Sequence, residues 1–296
     1  MVLPRMAVTG RTGQVVLSLA EGAEAAGFSL VTLARPEVDL AEPASVEAAL
    51  LALAPDIVVS AAAYTAVDKA ESEPELAMRV NRDGPAMLAR AAARLRIPIV
   101  HLSTDYVFDG TKGAPYLETD AVSPLGVYGA TKLAGEQAIA EASDDFAIMR
   151  TSWVYSPFGA NFVKTMLRLA ASRDRLTVVA DQRGRPSYAP DIAAGIFTIA
   201  RNLLETSAPE GRGVFHLTGG GDTTWHAFAA AIVAGAAERG GRGVPVDPIT
   251  TADYPTPARR PADSRLDCGK IERSHGVALP DWRVSLEACL DRLMAG

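Results

Sequence analysis

Short apolar runs alternate with helical segments through the first half of this chain, and that alternation most constrains its fold. The runs predict strands at 5–8, 28–33, 56–60, 97–103 and 146–151. Helical segments separate them, at 13–26, 44–53, 74–96 and 125–142. Because the strand runs are mainly apolar and do not alternate with polar residues, both of their faces should be buried. The pattern predicts an α/β fold: a Rossmann-type, doubly wound parallel sheet with helices on both faces.

Charge and cysteine content exclude several classes of protein. The net charge of −6 argues against a nucleic-acid surface, because neutralising phosphates needs a basic excess. Cys268 and Cys289 lack any motif spacing, so we expect no disulfide framework and a cytoplasmic location. The four histidines form no metal-ligand pattern. The longest apolar stretch, 48–64, contains Pro55 and Asp56, so no membrane span is expected.

A glycine-containing turn follows the first predicted strand. Gly10 supplies a tight turn, and Gly13 lets backbone N–H groups approach a pyrophosphate at the positive end of the next helix. A plain strand-to-helix turn is the alternative, but the flanking strand and helix favour dinucleotide binding. The third small position of the usual fingerprint holds Val16, which should displace the helix unless a facing residue is small. The cofactor residues predicted in this turn are Gly10, Arg11, Thr12, Gly13, Gln14 and Val15.

Two arginines indicate which dinucleotide is preferred. Arg35 ends the second strand, where a site for NAD usually carries an acidic residue, and Arg11 lies in the turn itself. Together their guanidinium groups suit a ribose 2′-phosphate, which predicts NADPH, with NADH as the alternative. Solvated surface arginines are the other interpretation. Asp39 and Leu40 are predicted to bracket the adenine.

Tyr128 and Lys132 lie four residues apart on one face of a predicted helix. A free tyrosine, with a pKa of about 10, is a poor acid–base group at neutral pH. A neighbouring ammonium should lower that pKa, helped by the charge of an oxidised nicotinamide. An ordinary helix pair is the alternative, which the position downstream of a phosphate turn disfavours.

Polar and small residues follow the third and fourth strands, at the edge where parallel sheets bind ligands. Thr104 is predicted to donate a hydrogen bond to a substrate carbonyl while Tyr128 delivers the proton. Ser103 is the alternative hydroxyl, and Asp105 either orients sugar hydroxyls or caps the loop. The small side chains after the third strand let the backbone approach a cofactor, or simply pack tightly; this predicted set is Ala61, Ala62, Ala63, Tyr64 and Thr65.

After Trp153 the alternation loosens. We expect residues 1–152 to form the dinucleotide-binding domain and residues 153–296 mainly a smaller substrate-binding lobe, with some segments returning to the main sheet. A glycine-, proline- and arginine-rich loop is predicted over 181–190, and only short elements after residue 243.

Several long motifs resemble one known family. They are the runs 60–71, 103–110, 128–136, 150–155, 181–186 and 254–261. In these the chain resembles the dTDP-4-dehydrorhamnose reductases, which are extended short-chain dehydrogenases/reductases, and the resemblance covers nearly its whole length. It implies reduction of the C4 ketone of dTDP-4-dehydro-β-L-rhamnose with a nicotinamide hydride, the last step of dTDP-L-rhamnose synthesis.

The resemblance also implies roles for individual residues. Thr104, Tyr128 and Lys132 would be the catalytic set. Thr104, Asp105 and Trp153 would contact the sugar, and we add Tyr106 to that group. Gly13–Val15, Asp39, Leu40, Ala63–Thr65, Tyr128 and Lys132 would line the cofactor. The Arg259-Arg260-Pro261 segment is placed near the substrate diphosphate by its charge alone.

The chain departs from the family where some members resemble metal-bridged dimers. The acidic positions of those dimers fall here on Ser18 and Pro190, which are not carboxylates. We therefore expect no structural metal, and a monomer or weak homodimer. Two other functions stay open: a reductase or epimerase of another nucleotide sugar, and a non-catalytic regulator that binds NADP, such as the regulatory subunit of methionine adenosyltransferase. The intact Thr104, Tyr128 and Lys132 set argues against a regulator.

Overall fold

The computed structural model describes residues 2–295 of the chain. Its first half contains every predicted strand and helix, with ends shifted by a few residues. These elements are β1 (Arg5–Thr9), α1 (Gln14–Gly22), β2 (Ser29–Leu33), α2 (Pro43–Leu53), β3 (Ile57–Ser60), α3 (Val67–Ala70), α4 (Pro74–Met78), α5 (Gly84–Leu95), β4 (Ile99–Thr104), α6 (Val127–Ala142) and β5 (Phe146–Thr151).

The long helix predicted over 74–96 contains a bulge. A π-helical segment, Arg79–Asp83, joins α4 to α5. Pro85 has no N–H to donate to the carbonyl of Asn81 four residues earlier, so the regular ladder is interrupted here. The freed Asn81 carbonyl lies against α6 at Gly135, where a Cβ atom would be only 2.1 Å away. The bulge therefore brings α6 unusually close to this helix.

The remaining elements begin after β5, and most of them form a second group beside the sheet. They are β6 (Val154–Tyr155), α7 (Phe162–Ser172), β7 (Leu176–Val179), β8 (Arg183–Gly184), β9 (Ser187–Tyr188), α8 (Ala189–Glu205), β10 (Gly213–His216), β11 (Thr223–Thr224), α9 (Trp225–Glu238), β12 (Val246–Ile249), α10 (Gly269–His275) and α11 (Trp282–Met294). The predicted loop over 181–190 thus contains two short strands. The 13-residue α11 corrects the expectation of short elements only after residue 243.

The main sheet has six parallel strands in the order β10-β5-β4-β3-β1-β2. The predicted doubly wound parallel sheet is confirmed. Since β2 lies on one side of β1 and β3 on the other, the chain reverses direction across the sheet between β1 and β3. In such sheets the carboxyl ends of the strands at this reversal form a ligand cleft.

Each face of the sheet has its own apolar core. Apolar side chains of α1 and α8, including Leu19 and Ile196, pack on one face. Those of α2, α5 and α6, including Leu50, Leu88 and Ile139, pack on the other. A third core joins α7, α9 and α11 outside the sheet. Among residues 2–295, none of the helices has both the length and the apolar character to cross a bilayer.

Candidate active site

A cleft of about 620 Å³ opens at the carboxyl ends of β1, β2 and β3. Most of the predicted cofactor residues line it: Gly10–Gly13, Arg35, Asp39, Leu40 and Ala61–Thr65. Other residues that line the cleft were not predicted from any sequence motif, among them Leu76 and Val80 from the helical segment after β3. Gln14 and Val15 lie outside it. The Gln14 Oε1 atom accepts hydrogen bonds from Ser156 Oγ and Asn161 Nδ2, and Val15 is buried in the core.

The turn after β1 accommodates Val16 because its neighbours are small. Gly10 has a φ of 101°, and a Cβ atom there would lie 3.2 Å from Val16 Cγ2 and 3.3 Å from Ala62 Cβ. Val16 therefore does not displace the helix, because the residues that face it, Gly10 and Ala62, are small. Gly13 precedes α1 without any side-chain cap, so the first N–H groups of the helix are available to an anion.

The two predicted phosphate-binding arginines differ in their surroundings. Arg11 forms an exposed ion pair with Glu37, with 3.3 Å between Nη2 and Oε2. Arg35 lines the same cleft, is exposed, and forms no ion pair with any residue in 2–295. Arg35 is therefore the guanidinium that a phosphate could engage without breaking an existing pair.

Asn81, in the π-helical segment, fixes the backbone beside the cleft. Its Oδ1 accepts a hydrogen bond of 2.8 Å from the Tyr64 N–H, and its Nδ2 donates to the Tyr64 carbonyl and to Thr131 Oγ1. Thr131 lies between Tyr128 and Lys132 on α6. Asn81 thus ties the wall of the cleft to the helix that carries the proposed acid.

Tyr128, Lys132 and Thr104 come together beyond the cleft, at the end of β4. Tyr128 lies in the first turn of α6, and its ring lies edge-on to Tyr106 with centroids 5.9 Å apart. Lys132 is 2% exposed and donates hydrogen bonds to the Leu102 carbonyl (2.6 Å) and to His101 Nε2 (3.1 Å). Thr104 donates to Asp105 Oδ1 at 3.0 Å.

For the chain by itself, burial acts against the acidity expected of Tyr128, an expectation that also counted on the charge of an oxidised nicotinamide. Burial raises the pKa of Tyr128 to about 12, and a hydrogen bond with Thr104 offsets only part of that rise. The Lys132 ammonium is bound to β4 instead of to the phenol. Burial lowers the pKa of Lys132 to about 8, against the opposing effect of the Glu136 carboxylate. Near neutral pH the pair is therefore a neutral phenol beside an ammonium.

Asp105 is buried beside this pair. It is 2% exposed, and its Oδ2 has no hydrogen-bond partner among the described residues. Burial raises the pKa of Asp105 to about 7, although the hydroxyls of Ser264 and Thr104 near it act to lower it. An unpaired buried carboxylate oxygen is costly, so a ligand hydroxyl is a natural partner for it.

Trp153 occupies a strained position between β5 and β6, with a φ of 47°. Its indole stacks on Trp225 with ring centroids 3.6 Å apart and an interplanar angle of 10°. The indole also lies against Gly184, where a Cβ atom would lie 2.4 Å from Trp153 Cε2. Sequence reasoning missed Trp225 and Gly184, which hold this side chain in place from distant segments.

The two neighbouring arginines at 259 and 260 have different roles. Arg260 pairs with Asp68 at 2.9 Å, which anchors the 254–261 segment to α3. Arg259 is exposed and lines a second, smaller cleft together with Tyr106 and Tyr128. Only Arg259 thus stays available to a substrate phosphate.

No group of three or more His, Cys, Asp or Glu side chains that could hold a metal ion occurs within residues 2–295. Ser18 is buried, and its hydroxyl donates to the Gln14 carbonyl at 2.8 Å.

Comparison with known proteins places these features in a family. Residues 4–295 match the family described as the RmlD substrate binding domain. A dTDP-4-dehydrorhamnose reductase of Sinorhizobium fredii is 53% identical over 281 residues, which is 95% of each chain.

Two solved structures have the same fold over nearly the full length. A dTDP-4-dehydrorhamnose reductase of Clostridium acetobutylicum aligns with a TM-score of 0.91 at 34% identity, covering 98% of this chain and 99% of that one. One of Bacillus anthracis, in complex with NADP, aligns with a TM-score of 0.90 at 33% identity and the same coverage.

Proposed function

Because this chain belongs to the dTDP-4-dehydrorhamnose reductase family, we propose that it reduces the C4 ketone of dTDP-4-dehydro-β-L-rhamnose to dTDP-L-rhamnose with NADPH. The observation that carries this proposal is the meeting of Tyr128, Lys132 and Thr104 at the carboxyl end of β4, beside the cleft. With Tyr128 as the proton donor, this arrangement would put the acid near a cleft large enough for a dinucleotide.

The residues of the cleft fit a dinucleotide. The uncapped N-terminus of α1 and the backbone around Gly10 would hold the pyrophosphate, and Arg35 the ribose 2′-phosphate. Ala61–Thr65, tied to α6 through Asn81, would form the wall next to the nicotinamide half. When bound, NADPH supplies the hydride.

The chain itself supplies the proton. A raised pKa suits the reductive direction, because the phenol of Tyr128 must still carry its proton when the ketone oxygen becomes negative. Thr104 would turn its hydroxyl from Asp105 Oδ1 to donate a second hydrogen bond to that oxygen, and the buried Lys132 ammonium would stabilise the phenolate that is left. A transient phenolate next to a cation is less costly than one in an apolar site.

We assign the sugar to the space between the two groups of elements. Asp105, with its unpaired Oδ2, would accept a hydrogen bond from a sugar hydroxyl. Trp153 and Tyr106 would form apolar walls, and Arg259 would approach the diphosphate. On this assignment residues 1–152 mainly bind the cofactor and residues 153–296 mainly bind the substrate. We further propose that the protein works in the cytoplasm as a monomer or weak homodimer.

An assay of NADPH oxidation tests this function. With freshly prepared dTDP-4-dehydrorhamnose we expect turnover that depends on both substrates, and much slower turnover with the UDP and GDP analogues. Comparable rates with a UDP or GDP sugar would contradict the choice of nucleotide. Epimerised sugar without NADPH consumption would indicate an epimerase instead.

Replacing Arg35 tests the choice of cofactor. Arg35→Ala should raise the Kd for NADPH by about tenfold and leave the Kd for NADH nearly unchanged, because only NADPH carries the 2′-phosphate. Fluorescence titration with each cofactor measures both constants. Arg11→Ala is the matched control and should have the smaller effect, since Arg11 is already paired with Glu37. An equal loss of both cofactors in Arg35→Ala would remove Arg35 from 2′-phosphate recognition.

A further inference from the structure

A buried histidine lies directly beneath the proposed proton-transfer site. His101 is in the middle of β4 and is fully buried. Its Nε2 lies 3.1 Å from the Lys132 Nζ, and its Nδ1 lies 3.0 Å from Ser60 Oγ on the adjacent strand β3. Ser60 is paired with His101 in the sheet and is 1% exposed. The three side chains form a continuous buried row under the wall of the cleft.

The contacts of Lys132 determine the protonation of this histidine. An ammonium has three N–H donors and no acceptor, so His101 Nε2 must accept. The proton of the neutral ring then lies on Nδ1, which donates to Ser60 Oγ. With one Lys132 N–H on His101 and one on the Leu102 carbonyl, the third is left for a group outside the sheet.

We propose that His101, oriented by Ser60, is a positioning residue that holds the Lys132 ammonium charged and aimed at the cofactor side of the site. The role follows from the row of contacts, and its kinetic consequence rests on the proposed function. Without His101 the buried ammonium keeps only one neutral acceptor on β4. Its charged form is then less stable, and its direction is no longer fixed.

Other charged groups surround Lys132 on the elements packed against it. Glu136 lies one turn further along α6 and is paired with Arg150 of β5. Tyr128 lies one turn earlier on α6, and Asp105 follows β4. The pKa of Asp105, about 7, governs a lower pH range, and that of Tyr128, about 12, a higher one. In a profile of activity against pH, the deprotonation of Lys132 should therefore appear as the alkaline limb, a fall of activity near its pKa of about 8.

Histidine ¹⁵N NMR on the whole chain tests the contact without any assay of activity. We expect His101 to be a neutral Nδ1–H tautomer throughout pH 6–8, because burial and the Lys132 charge lower its pKa. Ser60→Ala should perturb the Nδ1 signal and leave the overall spectrum unchanged. An Nε2–H tautomer or a charged imidazolium would overturn the proposal, because neither can accept from Lys132.

A pair of variants tests the consequence for turnover. His101→Leu removes the acceptor and should lower kcat by about tenfold at pH 7, moving the alkaline limb to lower pH by about one unit. His101→Gln keeps a carbonyl acceptor on a side chain of similar reach and should restore most of kcat and the position of the limb. Equal losses at every pH in both variants, with no movement of the limb, would indicate a packing role and overturn the proposal.

The two tests separate this inference from the proposed function. If the chain does not reduce the sugar nucleotide but His101 is the neutral Nδ1–H tautomer, the function fails and the contact stands. If reduction occurs and the limb is unmoved in a folded His101→Leu protein, positioning fails and the function stands. Thermal denaturation of each variant shows whether it is folded.

Discussion

Replacing Tyr128 by phenylalanine should lower the rate of ketone reduction by at least about 10³-fold. The substitution removes only the hydroxyl that donates the proton. The Thr104 hydroxyl then remains as the single proposed donor to the ketone oxygen. The packing of the ring against Tyr106 should survive, since those rings meet edge to face. Binding of NADPH should be within about twofold of the unsubstituted chain.

Single-turnover kinetics with saturating NADPH measure this loss in the chemical step. Tyr106→Phe is the matched control: it removes a neighbouring phenol that is not the proposed acid, and it should keep kcat within about tenfold. Near-normal turnover in Tyr128→Phe would remove Tyr128 from the mechanism. An equal loss in both variants would mean that the effect comes from the shape of the pocket.

Replacing Glu136 by glutamine should lower the free energy of unfolding by about 3–5 kcal/mol. Glu136 and Arg150 form a buried pair, with side chains 4% and 5% exposed and 2.7 Å between Oε2 and Nη2. Ser103 also donates to the Glu136 carboxylate. The substitution leaves the Arg150 charge buried without its counter-charge, and Arg150 Nη1 already has no partner among the described residues.

Chemical denaturation at constant pH measures this change. Glu47→Gln, in the half-exposed pair with Arg94, is the control and should cost less than about 1 kcal/mol. The double variant Glu136→Gln/Arg150→Met should regain part of the loss, because it removes the uncompensated charge as well. A loss below about 1 kcal/mol in Glu136→Gln would show that the buried pair contributes little to stability.

The sequence predicts the parallel sheet well because its signal is local. The strand runs are mainly apolar and alternate with helical segments, so burial of the inner strands and the crossover topology follow directly, whereas the edge strand β2 is only partly buried. The Gly10–Gly13 turn and the Tyr128–Lys132 spacing are equally local. The predicted strands and helices next to these two motifs in the sequence indicate that both lie at the carboxyl edge of the sheet.

Contacts between segments that lie far apart in the chain were not predicted from the sequence. Lys132 was expected to act on Tyr128, its neighbour on the helix, yet its ammonium bonds to the Leu102 carbonyl and His101 on β4. Trp153 was predicted at the substrate, but its support from Trp225 and Gly184 depends on packing between segments far apart in the chain. The sequence also did not indicate that Asn81 joins Tyr64 to Thr131, because the three residues come from separate parts of the chain.

The reaction of dTDP-4-dehydrorhamnose with NADPH that carries deuterium at both C4 positions of the nicotinamide tests the central claim most directly. If this chain reduces the ketone as proposed, the dTDP-rhamnose formed should contain one deuterium, on C4 of the sugar, in NMR and mass spectra. With unlabelled NADPH in D₂O, that position should carry ordinary hydrogen. Product without deuterium from the labelled cofactor, or with carbon-bound deuterium from the solvent at C4, would contradict direct hydride reduction by this enzyme.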